Sequence, residues 1–357
     1  MVFALARSAG AHHDIGTDLA SLNLCLYGDC EARGTYAADP YGLYNPGVLA
    51  GPTLEMLPRG GAFSGSYFHL DIGGVDTDIE AGVATLAWAP VVFQVATVYA
   101  EAHGPVHPLP GVEMRFRTRA LRLAAGIDLD ATLGLDGLSV GLAGVVPDMH
   151  SDLHLTAGGR TIARSTETRD VELIPGVLWR TGERDWLMLG AFVDATRNHV
   201  DSAGLDPATG QMLRRSGTTN LWFARAGLSA LPFVPLGLAS DAAASSRWLR
   251  ELRVGVDVEY RNLSVPNEPG ERGAIGFFGA DAPLLPESLN PLSAWVRPWV
   301  LGGVDTRGGW GAGLGLYGEG LLRFAGCNGA YSQRPLTAYL GDRVEAIAVT
   351  CSVMLPL

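Results

Sequence analysis

Eight histidines and four cysteines are the side chains in this 357-residue sequence best suited to chemistry. His103 and His107 stand four residues apart, as do His150 and His154, and His12-His13-Asp14 forms a third grouping. On a strand, residues four apart share a face but lie about 13 Å from each other. A zinc ion needs each nitrogen at about 2.0 Å, so neither pair makes a metal site there. His103 and His107 would meet only if the Pro-rich stretch between them folded back; solvated loop residues are the plainer reading. No Gly-x-Ser-x-Gly elbow and no His-Glu-x-x-His occurs, and Gly308–Gly315 is not followed by Gly-Lys-Ser/Thr. The expectation is therefore no enzyme, with no catalytic residue, metal or cofactor.

Cys25 and Cys30 bracket Gly28-Asp29 and suit a local disulfide in an oxidising compartment, since no further ligands stand at zinc-type spacing. Cys327 and Cys351 are less easily paired, since a hairpin over 325–343 would set them far apart along it, and Cys351 reads rather as a small apolar wall residue; their pairing stays open. Arg115, Arg117 and Arg119 alternate with Met114, Phe116 and Thr118, so the three guanidinium groups share one strand face. Two readings stand. The stripe lines a lumen and meets a carboxylate, or it is wall charge, solvated or paired with acids such as Asp128, Asp130, Asp257 and Glu259. After Arg119 the apolar face changes parity at Ala120–Leu121, which predicts a bulge or a strand end.

Composition narrows what could carry these groups. There are 26 Lys+Arg against 37 Asp+Glu, a net charge of -11, which argues against a nucleic-acid partner, since a phosphate-binding face needs an excess of Lys and Arg. Hydrophobic residues make up 47% against 18% charged, and mean hydropathy is +0.17; a disordered chain has the opposite balance. The 47 glycines argue against a helical protein, because each costs about 1 kcal/mol inside a helix.

The dominant pattern has a period of two. In Glu251–Tyr260, Leu252, Val254, Val256, Val258 and Tyr260 alternate with Glu251, Arg253, Gly255, Asp257 and Glu259. Asn220–Ala230 repeats this, and Leu121–Leu135 reads as one strand turning at Asp136-Gly137 into Leu138–Val146. With Phe63–Ile72, Ile79–Trp88, Val91–Glu101, Val171–Arg180, Trp186–Thr196, Trp295–Asp305, Trp310–Phe324 and Val344–Leu355, the count is roughly twelve to fourteen strands. Several reach the 9–11 residues with which a tilted strand crosses a bilayer. Short gaps alternate with long ones, notably 197–219 and 263–292, and aromatic residues cluster at strand ends. A soluble sandwich would use such aromatics as core; long strands, unequal loops and an aromatic girdle favour an all-β transmembrane antiparallel barrel. The first 11 residues lack the apolar stretch of a secretory signal, so the chain reads as mature sequence or as starting downstream of its leader.

Residues 1–60 alternate poorly and read as a separate plug (hatch) segment before a barrel at 61–357. Within it, Tyr36-Ala-Ala-Asp39-Pro-Tyr-Gly-Leu43-Tyr-Asn45-Pro46-Gly47-Val48-Leu49 resembles the hatch signature of FadL-type transporters of long-chain fatty acids and hydrocarbons. Asp39, Asn45 and Pro46 match, and Gly47 stands where that family usually has Ala. The resemblance implies an outer-membrane channel of the Gram-negative type for passive uptake of hydrophobic small molecules. Its partners would be membrane lipid and cargo. Leu22, Leu24, Leu43, Val48 and Leu49 become candidate ligand contacts. In that family a kinked strand opens the wall sideways, and the parity change near Ala120 would be its counterpart. The alternative is a permanently plugged structural barrel whose loops 197–219 and 263–292 dock a protein partner in a surface or secretion complex.

Overall fold

A strand with one oily and one wet face must pair along both edges before it can enter lipid, where a bare amide has no water to bind. The computed structural model describes residues 45–50, 59–72, 75–105, 112–157, 160–181, 186–205, 212–235, 251–264, 271–282, 296–306, 308–318, 325–335 and 343–356. Among these, fourteen antiparallel strands close into one barrel. They are β1 (Arg59–Ile72), β2 (Val75–Trp88), β3 (Val91–Pro105), β4 (Val112–Asp128), β5 (Leu138–Ala157), β6 (Arg160–Arg180) and β7 (Leu187–Leu205). The other seven are β8 (Met212–Ala230), β9 (Arg253–Ser264), β10 (Glu271–Asp281), β11 (Val296–Asp305), β12 (Trp310–Gly318), β13 (Ala325–Pro335) and β14 (Arg343–Pro356). Each pairs with its neighbours in sequence, and β14 closes on β1, with Ala62 opposite Pro356 and Ile72 opposite Ala346.

The oil lies outside. On β2, exposed Ala84, Leu86 and Trp88 alternate with buried Val83, Thr85 and Ala87. On β9, exposed Val254, Val256, Val258 and Tyr260 alternate with buried Arg253, Asp257 and Glu259. Phe63, Phe93, Leu123, Leu142, Leu314 and Ile347 continue the apolar belt. From Trp88 up to Glu80 the belt covers about 20 Å of height at the usual strand tilt, close to the lipid-facing band of a membrane barrel. Trp88 and Trp179 mark one rim; Trp222 and Tyr260, with ring centres 5.5 Å apart, stand towards the other.

Four expectations are corrected. The single strand Leu121–Leu135 is instead β4 followed by a five-residue helix, α1 (Leu129–Leu133). Asp128 ends the strand by accepting from the amides of Asp130 and Ala131 at 2.9 and 3.4 Å, a helix cap that the continuing leucine pattern hides. Second, 197–219 and 263–292 are not long loops. β7 and β8 reach Leu205 and Met212, leaving only 206–211 between them, and 263–292 contains β10. These strand ends stand beyond the lipid belt, where no face need be apolar.

Third, no bulge interrupts β4. The β3–β4 ladder runs unbroken through Val98 opposite Ala120 and Thr97 opposite Leu121, and the β4–β5 ladder through Ala120 opposite Pro147. The sideways opening inferred from the parity change therefore falls. Fourth, Cys327 and Cys351 are joined by a disulfide. They stand equally far from the β13–β14 turn, so the register sets them opposite each other. Cys25 and Cys30 lie outside the described residues.

Candidate functional site: a segment seated on the inner wall

Asn45–Ala50 lies inside the barrel, wholly buried, against β4, β5, β6 and β7. Its shape comes from local chemistry. Pro46 opens a 3-10 turn (Pro46–Val48), where a missing amide costs nothing and the fixed φ suits the helix start. Asn45 caps that turn: its Oδ1 accepts from Gly47 N at 3.0 Å, and its carbonyl accepts from Val48 N at 3.0 Å.

The wall is hollowed to receive it. Gly126, Gly141 and Gly176 form one row across β4, β5 and β6, each opposite the next in register. A Cβ on Gly126 would lie 2.9 Å from the Leu49 Cβ; on Gly141 it would overlap the Pro46 carbonyl; on Gly176 it would overlap the Asn45 side-chain oxygen. Gly47 answers from the other side, since a Cβ there would stand 2.6 Å from the Val177 Cα. That close approach is the physical reason for glycine where alanine was expected. Two hydrogen bonds fasten the seat. Asn45 Nδ2 donates to the Val177 carbonyl at 2.9 Å, and Ser139 Oγ donates to the Gly47 carbonyl at 2.6 Å. Leu49 and Ala50 pack with Ala124, Ala143, Ile174 and Phe192, and Val48 packs with Leu178 and Met188.

Beside the seat, the inner wall turns ionic. Arg225 on β8 pairs with the buried Glu259 opposite it on β9, and its guanidinium lies 4.4 Å from the Phe277 ring centre and 6.0 Å from that of Phe192. Arg253 donates to Ser229 Oγ at 3.2 Å. Across the barrel, Arg122 donates to Gln94 Oε1 at 2.6 Å. Phe192 belongs to both regions.

The arginine stripe is elsewhere. Arg115, Arg117 and Arg119 share the outward face of β4 with Leu121 and Leu123, while Arg122, Ala124 and Gly126 point inward. Arg115 and Arg117 reach Glu101 at 3.0 and 3.7 Å, and Arg119 lies 5.8 Å from the Tyr99 ring centre. One face passes from water into lipid, so it changes from arginine to leucine with no change of direction. The lumen reading of this stripe is corrected accordingly. Asp39, Leu22, Leu24 and Leu43 lie outside the described residues. Sequence reasoning missed Ser139 and the three wall glycines; glycine within a strand does signal close backbone approach, but only the register shows that these three meet.

No protein-family profile and no curated protein matches the sequence. Solved structures do. The Pseudomonas putida toluene transporter TodX aligns over 94% of this chain and 96% of its own at 10% identity, with a TM-score of 0.55. The Ralstonia pickettii toluene transporter TbuX aligns over 89% and 93% at 8% identity, with a TM-score of 0.52. A Pseudomonas aeruginosa FadL homologue aligns over 88% and 93% at 11% identity, with a TM-score of 0.50. At such identities the likeness is one of fold: the chain shares the barrel of these transporters.

Proposed function

We propose that this chain is an outer-membrane channel for passive uptake of hydrophobic small molecules, with residues 1–60 as its plug and 61–357 as its wall. The observation that carries this reading is the built seat: a glycine row holds Asn45–Ala50 against the inner wall of a closed, oil-coated barrel. The fold shared with two toluene transporters and a FadL homologue supports it. Cargo rests in an apolar pocket between plug and wall, with Val48 and Leu49 at that boundary and Leu22, Leu24 and Leu43 as further contacts. Each buried CH₂ of the cargo contributes about 0.8 kcal/mol, enough to draw long alkyl or aromatic molecules from water. For the plug to gate, cargo must bind the seated and unseated states with different affinity. Fatty acids and hydrocarbons are the substrate classes to test.

The test is uptake of a labelled hydrocarbon by cells expressing the intact chain, compared with cells expressing a deletion of residues 35–50. The intact chain is expected to raise uptake above the empty vector, and the deletion to alter both its rate and its selectivity. Unchanged uptake after the deletion would refute a gating plug; no uptake above vector would refute the channel.

A further inference from the structure

Resting on the outer-membrane reading, we infer that Arg117 and Arg119, with Tyr99 beside them, form a site on the outer wall for the phosphate of a phosphorylated glycolipid of the outer leaflet. The site begins where the oil stops. Along the outward face of β3 and β4, Phe93 stands opposite Ala125, Val95 opposite Leu123 and Thr97 opposite Leu121; the next pairs are Tyr99 with Arg119, Glu101 with Arg117 and His103 with Arg115. The change falls at the same level on β2, where Leu86 and Ala84 give way, past Gly82, to Glu80, Asp78 and Asp76. An acyl chain lying on Val95, Leu121 and Leu123 therefore ends at Arg119, one pleat and about 7 Å further along the strand.

Local contacts leave both guanidinium groups ready at that level. Tyr99 donates to one oxygen of Glu101 at 2.9 Å and Arg115 to the other at 3.0 Å. Arg117, exposed, stands 3.7 Å from Glu101, beyond hydrogen-bond reach. Arg119 lies 5.8 Å from the Tyr99 ring centre, and a guanidinium over a ring keeps the N–H groups of its edge for another partner. Each guanidinium has five donors. Two such forks on one face, about 7 Å apart at their origins, close on a single phosphate with the bidentate geometry that favours arginine there. Carboxylates flank them: Glu80 and Glu101 on one side and, by register, Asp148 opposite Arg119 on β5. A free anion gains little in such a field; a phosphate carried in by its own acyl chains is held level with the forks. The leaflet follows from the end of the barrel. At the Trp88 end, β2 turns into β3 with only residues 89–90 between them. At the arginine end the chain runs out past Thr97 and returns only at Leu121, and β7 and β8 extend to Leu205 and Met212. Long excursions mark the outer side of such barrels.

In the experiment, the full chain is expressed in Gram-negative cells, purified from their outer-membrane fraction in detergent, and probed with bisphosphorylated lipid A that carries its inner-core sugars. The comparison probes are the same glycolipid stripped of phosphate and phosphatidylglycerol, with inorganic phosphate as competitor. The phosphorylated glycolipid is expected to bind at least about tenfold more tightly than the stripped one. The Arg117→Gln/Arg119→Gln variant, shown to be folded by its heat-modifiable gel mobility, is expected to lose that factor and to bind the stripped glycolipid as the parent does. Inorganic phosphate in large excess should displace nothing. Equal binding of the two glycolipids, or a folded variant that binds as the parent does, would overturn the site. Displacement by inorganic phosphate would show an anion site instead, and phosphatidylglycerol bound as tightly as the glycolipid would overturn the assignment to the outer leaflet. Absence of the chain from the outer-membrane fraction would sink the location reading itself, and the site with it.

Discussion

Gly141→Ala puts the seat under the most direct strain. The added Cβ would overlap the Pro46 carbonyl, and both groups belong to backbone, so no flexible side chain can yield. Overpacking of this kind costs about 1–3 kcal/mol. A shift within the seat that relieved the overlap would instead break the Asn45–Val177 and Ser139–Gly47 bonds, each worth about 1 kcal/mol net, so by either route the seated state is weakened by about 2 kcal/mol or more. A net shift of about 2–3 kcal/mol raises the unseated fraction about thirty- to hundredfold. The assay is alkylation of Val48→Cys in a Cys25→Ser/Cys30→Ser background, with the barrel in lipid vesicles. Val48 has 0% exposure when seated, so a water-soluble maleimide reports only the open population. The expected result is a labelling rate about thirtyfold or more above the parent. Gly144→Ala on the same strand is the control, because its Cβ would meet nothing closer than the Glu172 carbonyl at 3.9 Å. An unchanged rate in a folded Gly141→Ala barrel would show that these glycines do not seat the segment.

Ser139→Ala removes one of the two fastening bonds without adding bulk, so Val48→Cys labelling should rise about three- to tenfold, less than for Gly141→Ala. Leu123→Arg places a charge on the lipid belt and is expected to destabilise the barrel by about 2–4 kcal/mol in urea titrations from vesicles. Arg117→Ala, beyond the belt, should stay within about 1 kcal/mol of the parent, which checks the placement of the arginine stripe. Cys351→Ser opens a cross-link between residues 24 apart, and urea stability should fall by about 3 kcal/mol. In the parent, Cys327 and Cys351 should resist alkylation after unfolding until a reductant is added.

Alternation was enough to read β14 to within one residue of each end and β2, β3 and β9 to within four, because a two-residue period follows from strand geometry wherever one face meets oil and the other water. It failed where that contrast ends. Residues 197–205 and 212–219 extend β7 and β8 but show no alternation of oily and polar residues to read. In Leu129–Leu133 the leucines kept the rhythm while the Asp128 cap started a helix. The Asn45-Pro46-Gly47 turn was likewise legible, since a proline's fixed φ and an asparagine's capping oxygen act within a few residues.

By itself, then, the order of residues determined an all-β barrel with oil outside, and a rigid turn ahead of it, because both arise from neighbours along the chain. Only the closed sheet decided what faces what. Registers between strands far apart in sequence set Gly126, Gly141 and Gly176 in one row, brought Cys327 to Cys351, buried Arg225 against Glu259, and turned Arg115, Arg117 and Arg119 outward. A register fixes long-range partners, and a one-residue slip would send every one of these side chains to the opposite face.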